Sequence, residues 1–234
     1  MDKEKLISNL NQVKANIKNA ADNAGRDSAD VKLLAVSKNQ KVDAVKILSE
    51  AGVEFFGENR VQELEEKNDK LKSGGLEINW HFIGHLQRNK VKYLMRMENC
   101  RMIESIDSFR LAKEVNKRAK KNNRTIPVLI EINIAGDENK FGIRPEKAEE
   151  FLKKILNLKN LKVEGLMTVL PYLDDSQKLR SYFKEMKKLF DQLSENVCEL
   201  KELSMGMSND YQIAVEEGAT IVRVGTAIFG EREY

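Results

Sequence analysis

The chain has 234 residues, of which 41% are hydrophobic and 33% charged, and its formal net charge at pH 7 is +3. This composition is typical of a globular domain with a well-solvated surface, and no apolar run approaches the roughly 20 residues that cross a bilayer. The lysines are interleaved with glutamates rather than clustered, so no nucleic-acid partner and no membrane partner is predicted.

The two cysteines, Cys100 and Cys198, lie far apart and outside any CxxC or histidine-containing metal spacing. They predict neither a disulfide framework nor a metal site, and they favour a reducing, cytoplasmic compartment. The first residues lead into an amphipathic segment rather than an apolar signal core. Three prolines and no evident flexible linker predict a single domain over residues 1–234.

The predicted elements begin with a helix over residues 2–24, whose apolar side chains have helical spacing and which Gly25 can end. Short apolar runs then alternate with helical segments as far as residue 224. The predicted strands cover 32–36, 54–56, 79–83, 101–104, 126–132, 161–166, 201–204 and 220–224. The predicted helices between them cover 42–51, 59–72, 87–98, 108–122, 145–156, 175–197 and 208–217.

Eight strands separated by helices predict parallel pairing with right-handed crossovers. Eight such units can close into a barrel, and the chain is near the length of about 250 residues typical of that fold. An open doubly wound sheet is the alternative, but its first strand is usually followed by a GxGxxG turn, and Ser37-Lys38-Asn39-Gln40 contains no glycine. We therefore predict an α/β fold, a single (β/α)8 TIM barrel preceded by an extra N-terminal helix.

In such a barrel the functional residues lie just beyond the carboxyl ends of the strands. Lys38 follows the first predicted strand, Leu33-Leu34-Ala35-Val36. An ammonium group at the end of an apolar strand must be paired or take part in chemistry. Desolvation lowers the pKa of a lysine and exposes the lone pair that Schiff-base formation needs.

Two glycine-containing loops follow the seventh and eighth predicted strands, Ser204-Met205-Gly206-Met207-Ser208 and Val224-Gly225-Thr226. Barrels often bind a phosphate between these two loops through backbone N–H groups. The glycines permit close backbone approach, and Ser208 and Thr226 add hydroxyl donors. The alternative is that Ser208 or its neighbour only caps a helix and that Gly225 only makes a turn.

Three charged or titratable residues lie in predicted strands or in the loop after the third strand. Arg223 lies in the eighth strand, and its guanidinium needs either a glutamate in a structural ion pair or a ligand inside the barrel. His81 and His85 have i, i+4 spacing, but Phe-Ile-Gly between them indicates strand and loop, and there is no HExxH glutamate. No metal is therefore predicted; His81 is expected as a hydrogen-bonded core residue, and His85 at the barrel mouth.

A strand-end lysine, a phosphate cup across the barrel and an inward arginine together suggest pyridoxal 5′-phosphate (PLP). Its aldehyde would form an internal aldimine with Lys38, and its phosphate would occupy the loops after strands seven and eight. A sugar-phosphate aldolase would also combine a barrel lysine with a phosphate. Such enzymes usually carry the lysine deeper in a later strand, with acid–base carboxylates nearby.

Longer motifs, taken together, carry a family resemblance that runs almost from end to end. The chain resembles the pyridoxal phosphate homeostasis protein family, the small relatives of the alanine racemase N-terminal domain. The matching stretches are Leu34-Ala35-Val36-Ser37-Lys38, Phe56 through Glu63, Trp80 through Lys90, Lys140-Phe141-Gly142, Gly165-Leu166-Met167-Thr168, Leu203 through Asp210, and the end of the barrel up to Phe229-Gly230.

The resemblance implies a single PLP-binding barrel of the alanine racemase type (PLP fold type III) with Lys38 as the Schiff-base lysine. It also implies the remaining cofactor contacts, which are Asn59 beside the ring, Arg223 near the pyridine nitrogen, Met207 through its backbone, and Ser208, Gly225 and Thr226 at the phosphate. Asn39 and Ala135 depart from the Thr and Ser of many members, and both flank the site.

The resemblance further implies a role in vitamin B6 and amino/keto acid homeostasis without catalytic turnover. A compact barrel without an obvious apolar patch is compatible with a monomer, and an open cofactor face would let PLP pass to apo-enzymes. An arginine at the pyridine nitrogen keeps that nitrogen unprotonated, which makes the ring a poorer electron sink. Alanine racemases take a second base, a tyrosine, from an additional β domain, and the sequence end at 231–234 leaves no room for one. A low-activity amino-acid racemase is the alternative.

Overall fold

The computed structural model describes residues 2–230 and contains one closed barrel of eight parallel strands, in which neighbours in sequence are neighbours in space. The strands are β1 (Lys32–Val36), β2 (Phe55–Glu58), β3 (Asn79–Phe82), β4 (Cys100–Ile106), β5 (Ile126–Glu131), β6 (Leu161–Met167), β7 (Glu202–Ser204) and β8 (Ile221–Val224). Pairing of β1 with β8, with Leu34 beside Arg223, closes the barrel. This closure confirms the predicted TIM barrel and excludes the open doubly wound sheet.

The helices surround the barrel, and α1 precedes it as the predicted extra helix. They are α1 (Lys3–Asn23), α2 (Val42–Glu50), α3 (Val61–Ser73), α4 (Val91–Leu94), α5 (Phe109–Lys121), α6 (Ala148–Ile155), α7 (Ser176–Asn196), α8 (Tyr211–Glu216) and α9 (Thr226–Phe229). Single turns of 3-10 helix lie at 28–30, 88–90 and 145–147.

The apolar core has two parts. The larger part lies between the strands and the surrounding helices. The smaller part consists of strand residues that face the barrel interior, which are Leu34, Met102, Leu129, Met167 and Ile221. Burial of each such side chain contributes about 1.5–3 kcal/mol to folding, so these five residues form an apolar layer that stabilises the barrel from inside.

The predicted helix over 87–98 is wrong in its extent, because regular helix ends at Leu94. Beyond that point the guanidinium of Arg124 donates to the carbonyl oxygens of Met97 at 2.6 Å and of Cys100 at 2.7 Å. A residue from the α5–β5 connection therefore binds the segment between α4 and β4 and holds it as it leads into the strand. This long-range contact has no local sequence signal.

The α1 helix buries one face against the barrel helices, including Leu6, Leu10, Val13 and Ile17. Two amides on α1 reach the last two helices. The Asn9 amide donates to the Ile228 carbonyl, and the Asn16 amide donates to the Tyr211 hydroxyl, both at 2.9 Å. The extra helix therefore supports α8 and α9, which follow the two predicted phosphate loops.

Within residues 2–230, no helix combines the length and apolarity needed to cross a bilayer. The segment 231–234, on which the expectation of no additional β domain depends, lies outside the described residues.

Candidate functional site

A cavity of about 380 Å³ opens at the carboxyl end of the barrel. Its lining contains a lysine, an arginine, a carboxylate, three hydroxyl side chains, two amide side chains and two backbone segments from the loops after β7 and β8. All seven predicted site residues line it, namely Lys38, Asn59, Met207, Ser208, Arg223, Gly225 and Thr226. The barrel thus joins residues that lie up to 188 positions apart in sequence (226 − 38).

Lys38 lies in a turn two residues beyond β1 and is half-buried, whereas the last three residues of the strand are buried. The turn has a fixed backbone. Asn39 has φ of 62°, a left-handed conformation that asparagine tolerates better than most residues. Its N–H donates to Glu63 Oε1 of α3 at 2.5 Å. The Lys38 side chain, which the sequence predicts as reactive, therefore extends from a turn whose backbone is restrained.

The two glycine-containing loops meet at Ser208. Its hydroxyl oxygen accepts from the N–H of Gly225 at 3.1 Å and of Ala227 at 3.3 Å. Helix α8 begins at Tyr211, three residues later than predicted, and Ser208 does not cap it. The alternative of a simple cap is therefore wrong, because Ser208 joins the β7 loop to the β8 loop.

Gly206 explains how the first of these loops turns so tightly. Its φ is 91°, and a Cβ at this position would lie 2.5 Å from the Cβ of Ala214. Only glycine combines that backbone conformation with that close approach. The turn ends where Asp210 Oδ1 accepts the N–H of Met207 at 2.5 Å, which directs the Met207–Ser208 backbone to the cavity.

Arg223 is 3% exposed and reaches the cavity from β8. Its guanidinium donates to Ser204 Oγ and to the Thr168 carbonyl, both at 2.7 Å. The Ser204 hydroxyl donates to Glu104 Oε2 at 2.6 Å. The ion pair considered from sequence therefore exists in an indirect form, with a serine hydroxyl between the two charges.

Glu104 completes this chain through His81, whose Nδ1 lies 2.7 Å from Glu104 Oε1. His81 is 4% exposed, which confirms it as a hydrogen-bonded core residue. Burial acts to raise the pKa of Glu104, but the hydrogen bond and charge of His81, together with the charge of Arg223, hold this pKa below its usual value. Glu104 therefore remains a carboxylate that compensates the buried guanidinium.

His85 is not among the residues that line the cavity, contrary to its expected place at the mouth. Its Nδ1 lies 2.9 Å from Asp107 Oδ2, and its ring stacks on Phe141 with centroids 3.7 Å apart. His81 and His85 thus have different carboxylate partners, Glu104 and Asp107. Among residues 2–230, no group of three or more potential ligands could hold a metal ion.

Glu131, at the end of β5, is a residue that the sequence analysis missed. Burial and the negative charge of Asp107 raise its pKa to about 7, against the opposing charges of Arg223 and Lys140. Glu131 could have been found by the criterion that singled out Lys38, which is a charged group at the end of an apolar strand. It was overlooked because the strand was predicted to run to residue 132, with Glu131 inside it.

Gly84 and the loop after β6 were also missed. A Cβ on Gly84 would lie 2.2 Å from the carbonyl oxygen of Asn59, so this glycine lets the backbone carrying Asn59 approach the rim. Val169 and Tyr172 from the loop, with Leu179 of α7, form an apolar wall. Nothing in the local sequence places these three residues near the cavity, so only the structure assigns them to the site.

A second, more open cavity of about 810 Å³ lies at the amino-terminal ends of the strands. Its cations already have protein partners. Lys32 pairs with Glu202, and Arg26 donates to the carbonyls of Val215 at 2.5 Å and Ala219 at 2.9 Å. Active sites of this fold lie at the opposite end, where the smaller cavity is.

Comparison with known proteins gives full-length relatives. The alanine racemase N-terminal domain family matches residues 8–233. A pyridoxal phosphate homeostasis protein from Aquifex aeolicus is 47% identical over 227 residues, which cover 96% of this chain and 97% of that protein. The human protein of the same name is 42% identical over 213 residues, covering 87% of this chain and 77% of the human protein.

A solved structure agrees with these matches. PipY from Synechococcus elongatus PCC7942, with PLP bound, has a TM-score of 0.85 and 30% identity to this chain, and the similarity covers 96% of this chain and 100% of PipY. Fold, sequence and length therefore agree over nearly the whole molecule. This chain belongs to the pyridoxal phosphate homeostasis protein family, whose barrel is that of the alanine racemase N-terminal domain.

Proposed function

We propose that this protein binds PLP in the cavity at the carboxyl end of the barrel and holds it through Lys38, as a carrier in vitamin B6 homeostasis. One observation carries the proposal. An amine, a buried guanidinium and a cluster of hydroxyl and backbone N–H groups line the same cavity. The relatives named for PLP homeostasis, and PLP bound to PipY, support the same assignment.

The phosphate end of the cofactor fits the loops after β7 and β8. The N–H groups of Gly225 and Ala227 both donate to the Ser208 hydroxyl oxygen, which fixes Ser208 against the loop after β8. The Ser208 hydroxyl can then donate its own proton to an oxygen of a phosphate in the cavity. Thr226 adds a second hydroxyl at the cavity wall. We therefore assign Ser208, Gly225, Thr226 and the Met207 backbone to phosphate binding.

Lys38 supplies the covalent link. When bound, PLP contributes an aldehyde that condenses with a primary amine, so that nitrogen replaces the carbonyl oxygen and one water leaves. Only the neutral amine attacks, and Lys38 must give up its proton before it does so. The half-buried turn in which it lies restricts the positions from which the amine can reach the cavity.

Arg223 supports a carrier rather than an enzyme. Two of its five N–H groups donate to Ser204 and Thr168, and the residue still lines the cavity. A guanidinium that donates to the pyridine nitrogen keeps this nitrogen as an unprotonated acceptor. The ring is then a weak electron sink, which disfavours removal of a substrate proton.

The second candidate is a low-activity amino-acid racemase, which needs an additional acid–base group above the cofactor. Tyr172 is the tyrosine on the cavity wall, and it is 76% exposed. Its hydrogen bond to Asp174 and the charge of that residue raise the pKa of Tyr172, so its phenol stays protonated at neutral pH. Because Tyr172 is so exposed, it is not held above the cavity by surrounding side chains, which favours the carrier. We also propose that this carrier is a monomer in the cytoplasm that donates PLP to apo-enzymes.

Incubation with L- or D-alanine in deuterium oxide separates the two candidates. A carrier leaves the α-hydrogen of either enantiomer in place. Exchange of that hydrogen at a rate that matches turnover would establish the racemase and contradict the carrier.

Borohydride reduction followed by peptide mass spectrometry tests the proposed link. We expect a pyridoxyl group on Lys38 of the wild-type protein and none in Lys38→Ala, with loss of the visible absorption of bound PLP. Lys41→Ala, which removes an exposed lysine three positions away, is the matched control and should retain both. A pyridoxyl group that resides on another lysine of the wild-type protein would overturn the assignment.

A further inference from the structure

A cluster of four polar residues, Ser37, Glu58, Glu63 and Lys67, lies beside the Lys38 turn without lining the cavity. Lys67 of α3 is 5% exposed. Its ammonium donates to the Ser37 carbonyl at 2.6 Å and to Oε1 of Glu58 and of Glu63 at 2.7 Å each. These three acceptors use all three N–H groups of the lysine.

This cluster holds the turn on both sides of Lys38. Before it, the Ser37 carbonyl accepts from Lys67, and the Ser37 hydroxyl donates to Glu58 Oε1 at 2.7 Å. After it, the Asn39 N–H donates to Glu63 Oε1, the same oxygen that accepts from Lys67. The backbone that flanks Lys38 is therefore attached to β2 and α3 through side chains.

Stability alone does not account for the cluster. Lys67 lies on the buried face of α3 with Leu64 and Leu71, where an apolar residue would pack without a desolvation cost. Glu58 is fully buried, and burial raises its pKa against the opposing charge and hydrogen bond of Lys67. Among the described residues, its Oε2 is a buried atom without a hydrogen-bond partner. Burying these charges together with an unpartnered oxygen costs folding free energy. We therefore attribute the cluster to the turn around Lys38, which it holds in place.

We propose that Lys67 and Glu58 are positioning residues that fix the turn at 37–39, so that the Lys38 amine meets the aldehyde of PLP without further ordering of the chain. The inference rests on the proposed function, since it concerns how Lys38 is presented. A restrained turn has already lost the conformational freedom that a flexible one would lose upon binding. PLP is therefore held more tightly and released more slowly.

The test compares Lys67→Met with a double variant, Glu58→Gln/Lys67→Met. Lys67→Met keeps an unbranched chain but removes the three donors, and it leaves a buried carboxylate unpaired. The thermal midpoint should fall, and PLP should dissociate about tenfold faster or more, as expected for a lost hydrogen bond to a charged group. The double variant also removes the negative charge of Glu58, which Lys67→Met leaves unpaired. Its thermal midpoint should therefore recover, while PLP dissociation remains fast.

The matched control is Arg118→Met, which also removes the cation of an i, i+4 pair on a barrel helix, in this case with Glu114 of α5. That pair makes no hydrogen bond to the Lys38 turn. The control should dissociate PLP at the wild-type rate.

A second readout needs no cofactor. The rate at which acetic anhydride acylates Lys38 in the apo-protein, followed against pH by mass spectrometry, should change its profile in both Lys67 variants and not in the control.

The outcomes are distinguishable. If PLP retention recovers with stability in the double variant, the cluster is merely structural and the inference is overturned. If all variants retain PLP and acylate as the wild type does, the inference alone is overturned. If wild-type Lys38 carries no pyridoxyl group after reduction, the proposed function fails first and this inference fails with it.

Discussion

Arg223 illustrates at the scale of single residues how this barrel accommodates a charge in its interior. The guanidinium, the Ser204 hydroxyl, the Glu104 carboxylate and the His81 ring form one hydrogen-bonded chain. One positive and one negative charge compensate each other across the serine. A fully connected buried network is rigid, whereas a partly connected one is costly. The arginine therefore arrives at the cavity with a defined orientation.

Gly84→Ala tests the close approach that positions Asn59. The added Cβ would lie 2.2 Å from a backbone oxygen, so the Asn59 segment must move. We expect a loss of about 1–3 kcal/mol in the free energy of unfolding, together with weaker PLP binding. Denaturant unfolding and absorbance titration with PLP measure the two effects.

Gly74→Ala serves as the control for this substitution. Gly74 has φ of −83°, and the nearest atom to its Cβ would be the Leu71 carbonyl oxygen at 3.3 Å. Unchanged stability and PLP affinity in Gly84→Ala would show that the Asn59 backbone can shift to accommodate the Cβ, and would contradict the prediction.

Glu131 makes stability depend on pH. Its pKa is about 7 in the folded protein, above the usual value of a glutamate, so the folded state retains a proton that the unfolded state releases. Its contribution is complete below the unfolded pKa and is lost as pH rises through about 7. Relative to Glu131→Gln, the wild-type protein should lose a few kcal/mol between about pH 5 and about pH 8.

Denaturant unfolding at several pH values measures this difference. The exposed Glu138→Gln, in the loop after β5, should follow the wild-type curve. A difference between wild type and Glu131→Gln that does not vary with pH would show that this carboxyl titrates normally.

At the scale of elements, the contact between β6 and β7 depends on one glycine. The pairing of β5 with β6 shifts register between Val128 and Leu129, so that Gly165 lies beside Leu129. On its other side, Gly165 pairs with Glu202, and a Cβ there would lie 1.7 Å from the Glu202 carbonyl oxygen. The seventh strand has only three residues, so it depends on this close approach for its place in the barrel.

Gly165→Ala should therefore separate β6 from β7. We expect a loss of about 3 kcal/mol or more in the free energy of unfolding, at the upper end for overpacked positions. Denaturant unfolding measures it, with Gly74→Ala again as the reference. Hydrogen exchange of the Thr168 N–H, which donates to the Ser204 carbonyl at 3.0 Å, should become faster. Wild-type exchange at this amide would contradict the account.

At the scale of the whole molecule, α1 ties the start of the chain to its last described helix. Its buried face and the Asn9–Ile228 hydrogen bond join segments 219 residues apart. Because β1 also pairs with β8, residues 2–230 cannot be divided at any one position into two segments with separate hydrophobic cores. The single domain predicted from composition should thus unfold as one cooperative unit.

Leu10→Ala tests that cooperativity. Leu10 is 1% exposed, and its truncation should cost about 2–5 kcal/mol. Fluorescence of Trp80, the single tryptophan, reports on β3, whereas far-UV circular dichroism reports on all helices. Both transitions should shift together, and Lys14→Ala on the solvent face of α1 should shift neither. Transitions that separate in Leu10→Ala would show that α1 unfolds on its own.

Sequence patterns singled out residues that line the cavity where a charged or polar group coincides with a strand end. Lys38 and Arg223 were found because a charge in or after an apolar run needs an explanation, and Ser208 and Thr226 because they flank glycines. Gly84 and Tyr172 were missed because their role is a matter of distance alone. The predicted helix over 87–98 was too long, and the segment beyond Leu94 is held by a remote side chain, Arg124.

The sequence by itself determined the alternation of strands and helices, and with it the closed barrel and the candidate residues, because periodicity and residue type are local properties. Tertiary structure alone decided which of those residues meet. Ser208 joins two loops, Ser204 separates Arg223 from Glu104, and Lys67 holds the turn before Lys38. Each contact spans 17 or more positions, and its partner is selected by barrel closure and packing, which no local pattern encodes.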